Sequence, residues 1–188
     1  MAIELKKKQK FDLTKKEPGL KQVFAGLGWD TNTVNGKKID CDVSVFMLGE
    51  NAKVPAEEYF VFYNNLLSAD GALRHTGDNR DGAGEGDDET VEVDLMKVSQ
   101  EIVQILFCVT IHESEERGHT FGDVNNSFIR MCNKLNGNEI CRFTLNEQFG
   151  GCDSLIIGRL YRSISEWEFE AMGSATGGGL SALVEFYT

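Results

Sequence analysis

Residues 38–48 read KIDCDVSVFML, and the alternation within them decides the fold class. Ile39, Cys41, Val43, Val45 and Met47 fall on one side of a two-residue period, with Asp40, Asp42 and Ser44 on the other. That pattern predicts a half-buried β-strand whose two aspartates share a face. Just upstream, Asn35-Gly36 supplies the dipeptide favoured in tight hairpin turns, because both residues tolerate positive φ. Before it, VFAGLGWD (23–30) places Val23, Ala25, Leu27 and Trp29 on one side of a further strand.

Working outward, short strands separated by turn signals recur, and no segment carries a long stripe of 3.6-residue period. EYFVFYNN (58–65) is predicted as a strand ending in paired asparagines, and ETVEVDL (89–95) points Val91, Val93 and Leu95 inward. EIVQILFCVTIH (101–112) is apolar on both sides and rich in β-branched residues, so it reads as a central strand covered on both faces. Residues 126–147 read as two strands about Asn136-Gly137, and residues 154–173 as a last pair with Trp167, Phe169 and Ala171 on one face. GSATGGG (173–179) is expected to be a flexible hinge before LSALVEFY (180–187), a short helix or edge strand. The expected architecture is all-β: a β-sandwich of two antiparallel sheets with minor helical turns, one domain over residues 1–188.

The chain has 188 residues, 41% hydrophobic content and a formal net charge of −11. This is enough apolar matter for one core, and the charge argues against nucleic-acid binding, which needs a basic surface. The positive charge is concentrated: residues 1–21 hold seven lysines against Glu4, Asp12 and Glu17. Such an arm could touch an anionic surface or its own acidic body; the plain reading is a solvated first strand. Five cysteines, odd in number and with no close pair, read as reduced core residues. No signal peptide or membrane-length apolar run is seen, so a cytoplasmic location and no integral membrane segment are expected.

GDNRDGAGEGDDE (77–89) packs six carboxylates into thirteen positions. Close carboxylates repel, each pair at about 4 Å by on the order of 1 to 4 kcal/mol, so an ordered loop here calls for a cation. Carboxylate and amide oxygens are the hard donors calcium takes, and glycines let the chain aim several at one point. The EF-hand template fails, since Arg80, Gly82 and Ala83 occupy ligand and turn positions; a solvated acidic loop is the plain alternative. Asp40, Asp42, Asn64 and Asp70 add oxygen donors at strand ends that a sandwich could bring together. His75, His112 and His119 form no catalytic spacing, and no nucleophile elbow is present, so no enzyme activity is expected.

GLGWD (26–30), DCDVSVFML (40–48), FVFYNN (60–65), GDNRDGAGEGDDE (77–89), FGDVNNSFIR (121–130) and GRLYR…EWEFEAMG (158–173) together resemble, in order and over nearly the whole chain, the TerD-like family of tellurium-resistance and bacterial stress proteins. The resemblance implies a cytoplasmic, calcium-binding β-sandwich linked to stress tolerance, with one or two Ca²⁺ ions. It places the ligands at Asp40, Asp42, Asn64, Asp78, Asn79, Asp87, Asp88 and Glu89. Ala83 and Glu85 stand where the family usually has acids, and Asp81 where it has threonine, which changes the carboxylate count of one site. A metal-stabilised interaction module is the expected function, with other proteins of a stress complex, membrane-associated ones included, as partners. A metal-dependent phosphoesterase-like hydrolase and a metal-independent interaction domain are the alternatives.

Overall fold

A computed structural model describes residues 2–31, 33–34, 36–76, 86–145, 149–163 and 167–188. The first half carries β1 (Ile3–Glu4), β2 (Lys10–Asp12), the single-turn α1 (Leu13–Lys16), β3 (Gln22–Thr31), β4 (Thr33–Val34), β5 (Lys37–Lys38) and β6 (Cys41–Leu48). A 3-10 turn at Glu57–Tyr59 leads into β7 (Phe60–Val61), β8 (Leu73–His75) and β9 (Glu89–Asp94). The second half carries β10 (Gln104–Ile111), α2 (Ser114–Arg117), β11 (Val124–Asn133), β12 (Glu139–Thr144), β13 (Ser154–Arg162), β14 (Trp167–Thr176) and α3 (Gly179–Tyr187).

Among the described residues these strands form two six-stranded sheets and a β4-β5 ribbon. One sheet runs β1-β12-β11-β3-β9-β8 and the other β2-β14-β13-β10-β6-β7. All pairings are antiparallel except β1 on β12. The inward residues of β3, β6, β9 and β14 are those the alternation named: Val23, Ala25 and Leu27, Val43 and Val45, Val91, and Phe169 and Ala171 are buried in one shared core. The valine, leucine and phenylalanine side chains among them each contribute about 1.5–3 kcal/mol on full burial.

β10 lies between β13 and β6, as its doubly apolar sequence requires. Ile105, Phe107 and Val109 face the shared core, while Leu106 and Cys108 face a second cluster with Phe46, Leu48, Phe60 and Leu183. α3 covers that outer face through Leu180, Leu183, Val184 and Tyr187. The basic N-terminal arm lies on the body: β2 pairs with β14, and Lys7 and Lys10 sit over the Phe149 and Tyr161 rings. Asp12 ends β2 and caps α1, its Oδ1 accepting the Lys15 N–H at 2.8 Å.

Two expectations are corrected. EYFVFYNN gives only a two-residue strand, because Phe62 and Asn65 bond each other's backbone in a tight turn and the Asn65 amide donates to Phe60 O at 2.7 Å. An asparagine side chain thus takes the place of the next strand. GSATGGG is no hinge over its length: β14 continues to Thr176, with Ser174, Ala175 and Thr176 opposite Ile156, Leu155 and Ser154. Gly173, at φ +55°, lies where the register shifts, so its glycine serves a bulge.

Candidate metal centre

β6 and β9 belong to opposite sheets, and their first residues meet at one end of the sandwich. The marker of that meeting is Cys41, whose thiol pKa is pushed well up, first by burial and then by Asp40, Asp42, Glu89 and Asp88. Four carboxylates predicted from sequence therefore act on one buried thiol. The carboxylates that act on it are hard oxygen donors of the kind calcium takes.

Glu89 joins the sheets directly. β7 pairs only with Val45 and Phe46, which leaves the Val43 N–H beyond its reach. Glu89 Oε2 accepts that N–H at 2.9 Å and lies 3.0 Å from His75 Nε2. His75 and Glu89 are 1% and 3% exposed, so a lost bond here would not be replaced by water. His75 is the last residue of β8 and Glu89 the first of β9, so the pair fixes both approaches to residues 77–85.

Asp88 and Asp87 diverge. The Asp88 N–H donates to Leu27 O at 2.8 Å, and its Oδ2 accepts the Trp29 N–H at 2.8 Å, which extends the ladder beside β3. Asp87 lies over β3, where its carboxylate accepts Arg130 Nε and Nη2, each at 2.8 Å. Gly26 makes the room: a Cβ there would overlap the Asp87 carboxylate, and one at Gly28 would stand 2.8 Å from Gly86 O. Arg130 also reaches Glu139 at 3.1 Å, and Arg142 closes the row with two 3.0 Å bonds to Glu139. The glycines of GLGWD are therefore the seat of the acidic segment's exit.

The structure thus sets Asp40, Asp42, Asp88 and Glu89 each within electrostatic reach of Cys41 and takes Asp87 to Arg130. Asn64 is exposed in the tight turn after β7. Asp78 and Asn79 lie outside the described residues. Among the described residues, no three His, Cys, Asp or Glu side chains form a group able to hold a metal ion. Three residues not named as candidates complete the surroundings: Arg130; His75, noted only for its place near Asp78; and His112, with Nδ1 3.5 Å from Asp42 Oδ2. The spacing FIR (128–130) opposite GLG (26–28) carried the signal for Arg130, but only strand register reveals it.

Beside Asp42 opens a cleft of about 350 Å³ lined in part by Glu113, Glu116, Asp153 and the start of α3. Asp153 is occupied structurally, accepting Gly179 N–H at 3.0 Å and Ser114 Oγ at 2.8 Å. Burial works to raise its carboxyl pKa, and these bonds with that from Ser154 outweigh it and hold it below the usual value.

The chain is 42% identical over 187 residues to tellurium resistance protein TerD of Serratia marcescens, covering 100% of this chain and 97% of that protein. It is 46% identical over 188 residues to general stress protein 16U of Bacillus subtilis (strain 168), again covering 100% and 97%. A crystal structure of a homologue of telluride resistance protein (TerD) from Streptomyces coelicolor A3(2) shares the fold, with a TM-score of 0.70 at 21% identity over 88% of this chain and 96% of that one. With the TerD domain matching residues 1–187, this chain belongs to the TerD family.

Proposed function

We propose that this protein binds calcium between the start of β6 and the approach to β9, and that the loaded form is a cytoplasmic, stress-linked scaffold for partner proteins. The observation that carries the reading is the contact of Glu89, the first residue of β9, with the Val43 N–H of β6, which sets the D-x-D start of β6 beside the end of the segment that holds Asp78 and Asn79. In this proposal Asp40, Asp42 and Asp88 act as ligands with Asp78 and Asn79. Asp87 and Glu89, engaged by Arg130 and by Val43 N–H and His75, anchor the segment's exit. Bound there, calcium supplies the positive charge that offsets carboxylate repulsion. The names of the relatives, a tellurium resistance protein and a general stress protein, support the stress link. Among the described residues no helix is long and apolar enough to cross a membrane.

The test is calorimetric titration of chelator-stripped protein with calcium, with magnesium as competitor. Saturable binding, lost in an Asp40→Asn, Asp42→Asn double variant and kept in Asn64→Ala, is the expected result. At a hundredfold excess over Kd the melting transition gains roughly 2.7 kcal/mol. No binding below about millimolar calcium removes the metal from the account.

A further inference from the structure

The GRLYR stretch (158–162) takes no part in the carboxylate cluster, and its two arginines differ in their partners. Arg159 is neutralised by Glu170, whose Oε2 accepts Nε at 2.9 Å and Nη2 at 2.7 Å, while Nη1 donates to Gln104 at 3.0 Å. Arg162 is held by main chain alone. Its Nε donates to Ile102 O at 3.0 Å, and its Nη2 to Val98 O at 2.8 Å and Ser99 O at 3.2 Å. Among the described residues no carboxylate pairs with it, and Nη1 has no protein acceptor. The guanidinium lies over the Trp167 ring, 4.6 Å from its centroid, and burial pulls its pKa down from the ordinary value. Carbonyl dipoles orient a cation but do not cancel its charge, so a half-buried guanidinium in this state favours an anion beside it.

Space for one exists. Arg162 lines a cleft of about 690 Å³ between the residues after α1 and the turn after β9. Leu20, Leu95 and Trp167 form apolar walls, and Met96 stands at the surface 72% exposed. Lys15 and Gln100 also line it. Asp12, the acid of the same segment, directs Oδ1 to Thr14 Oγ and Lys15 N–H and so serves α1. Apolar walls and polar groups share the lining about equally, which suits a ligand that is itself part apolar and part charged.

We propose that this cleft binds a small amphipathic anion, one carboxylate or phosphate group on an apolar body, the anionic group received by Arg162 Nη1 and the Lys15 ammonium. The apolar body lies against Leu20, Leu95 and Met96. The site is independent of the carboxylate cluster: Arg162 N–H bonds Val103 at the start of β10, and Asp40 O accepts from His112 just past its end. At a strand's rise per residue these points are roughly 30 Å apart.

The two tryptophans, Trp29 beside Asp88 and Trp167 beneath Arg162, separate the two readings. The experiment is a nuclear magnetic resonance titration of the full chain, following both indole N–H signals, with phenyl phosphate and phenylacetate as probes and phenol and inorganic phosphate as controls. A saturable shift of Trp167 with either probe is expected, the responding probe identifying the headgroup, while Trp29 stays put; calcium moves Trp29 alone if the metal reading is right. Lys15→Ala, an exposed position that leaves the fold intact, should weaken the probe by about tenfold, and Arg162→Gln should abolish the shift. No Trp167 response up to about 10 mM with either probe, equal binding of phenol or of inorganic phosphate, or an unchanged affinity in Lys15→Ala would each overturn the assignment.

Discussion

Gly26 is the smallest residue in the carboxylate corner and the least replaceable. A Cβ at that position collides with the Asp87 carboxylate, which Arg130 holds from the other side. Gly26→Ala is expected to cost about 1–3 kcal/mol in urea unfolding, and much less in an Asp87→Ala background, where nothing remains to collide. Equal costs in the two backgrounds would refute the contact. Glu89 makes a different demand, because its removal strands two buried donors. Glu89→Ala should lose about 1–3 kcal/mol for each, with Val43 amide exchange accelerated beyond that of its β6 neighbours. The D-x-D alternation at 40–42 was legible from the two-residue period alone. The Asp87–Arg130 pair was not, because it depends on Arg130 standing opposite Gly26 across two strands far apart in sequence.

On the outer face of β11 and β12, acids and arginines alternate as a row. Arg142's hydrogen bonds hold the Glu139 carboxyl below its ordinary value of 4.5; burial opposes them, and Arg130 adds to them. A depressed carboxyl stabilises the fold wholly above its unfolded pKa and loses that contribution as the pH falls through the folded one. The melting temperature of the parent should therefore exceed that of Glu139→Gln at neutral pH, by an amount equivalent to at most about 1 kcal/mol after solvent screening. The gap should close on acidification below about 4.5, and a gap that stays constant down to strong acid would rule the row out as a source of stability. Alternation marked β6 and β9 in advance and a run apolar on both sides marked β10, although β6 is buried on both faces where its alternation predicts one. β7 and the end of β14 were not readable in advance. In the first a side-chain amide replaced a ladder, and in the second a bulge used glycines that composition alone marks as a hinge.

Across the whole molecule the thiols report how closed the sandwich is. Cys41, Cys108, Cys132 and Cys141 are buried, and only Cys152 is partly exposed. Burial pushes the Cys132 thiol up to about 11 and Cys141 to about 12, so neither offers thiolate near neutrality. A thiol-reactive dye at pH 8 should label Cys152 first, and the other four only on unfolding; rapid labelling of more than one site would contradict this packing. The two-sheet plan was legible because turn signals recur at strand spacing. The order of strands in each sheet was not, since six of the eleven pairings among the described residues join strands that are not consecutive in sequence.

That order bears on how the protein is made. β1 docks on β12 at the edge of one sheet, and β2 docks on β14 at the edge of the other. During synthesis β1 and β2 thus emerge long before the strands they pair with, since Ile3 awaits Cys141 and Asp12 awaits Glu168. The lysine-rich segment waits in water while the body is assembled, and its charge keeps it soluble over that interval. Closure of the two edges then becomes a late event in folding, timed by translation of β12 for one and of β14 for the other.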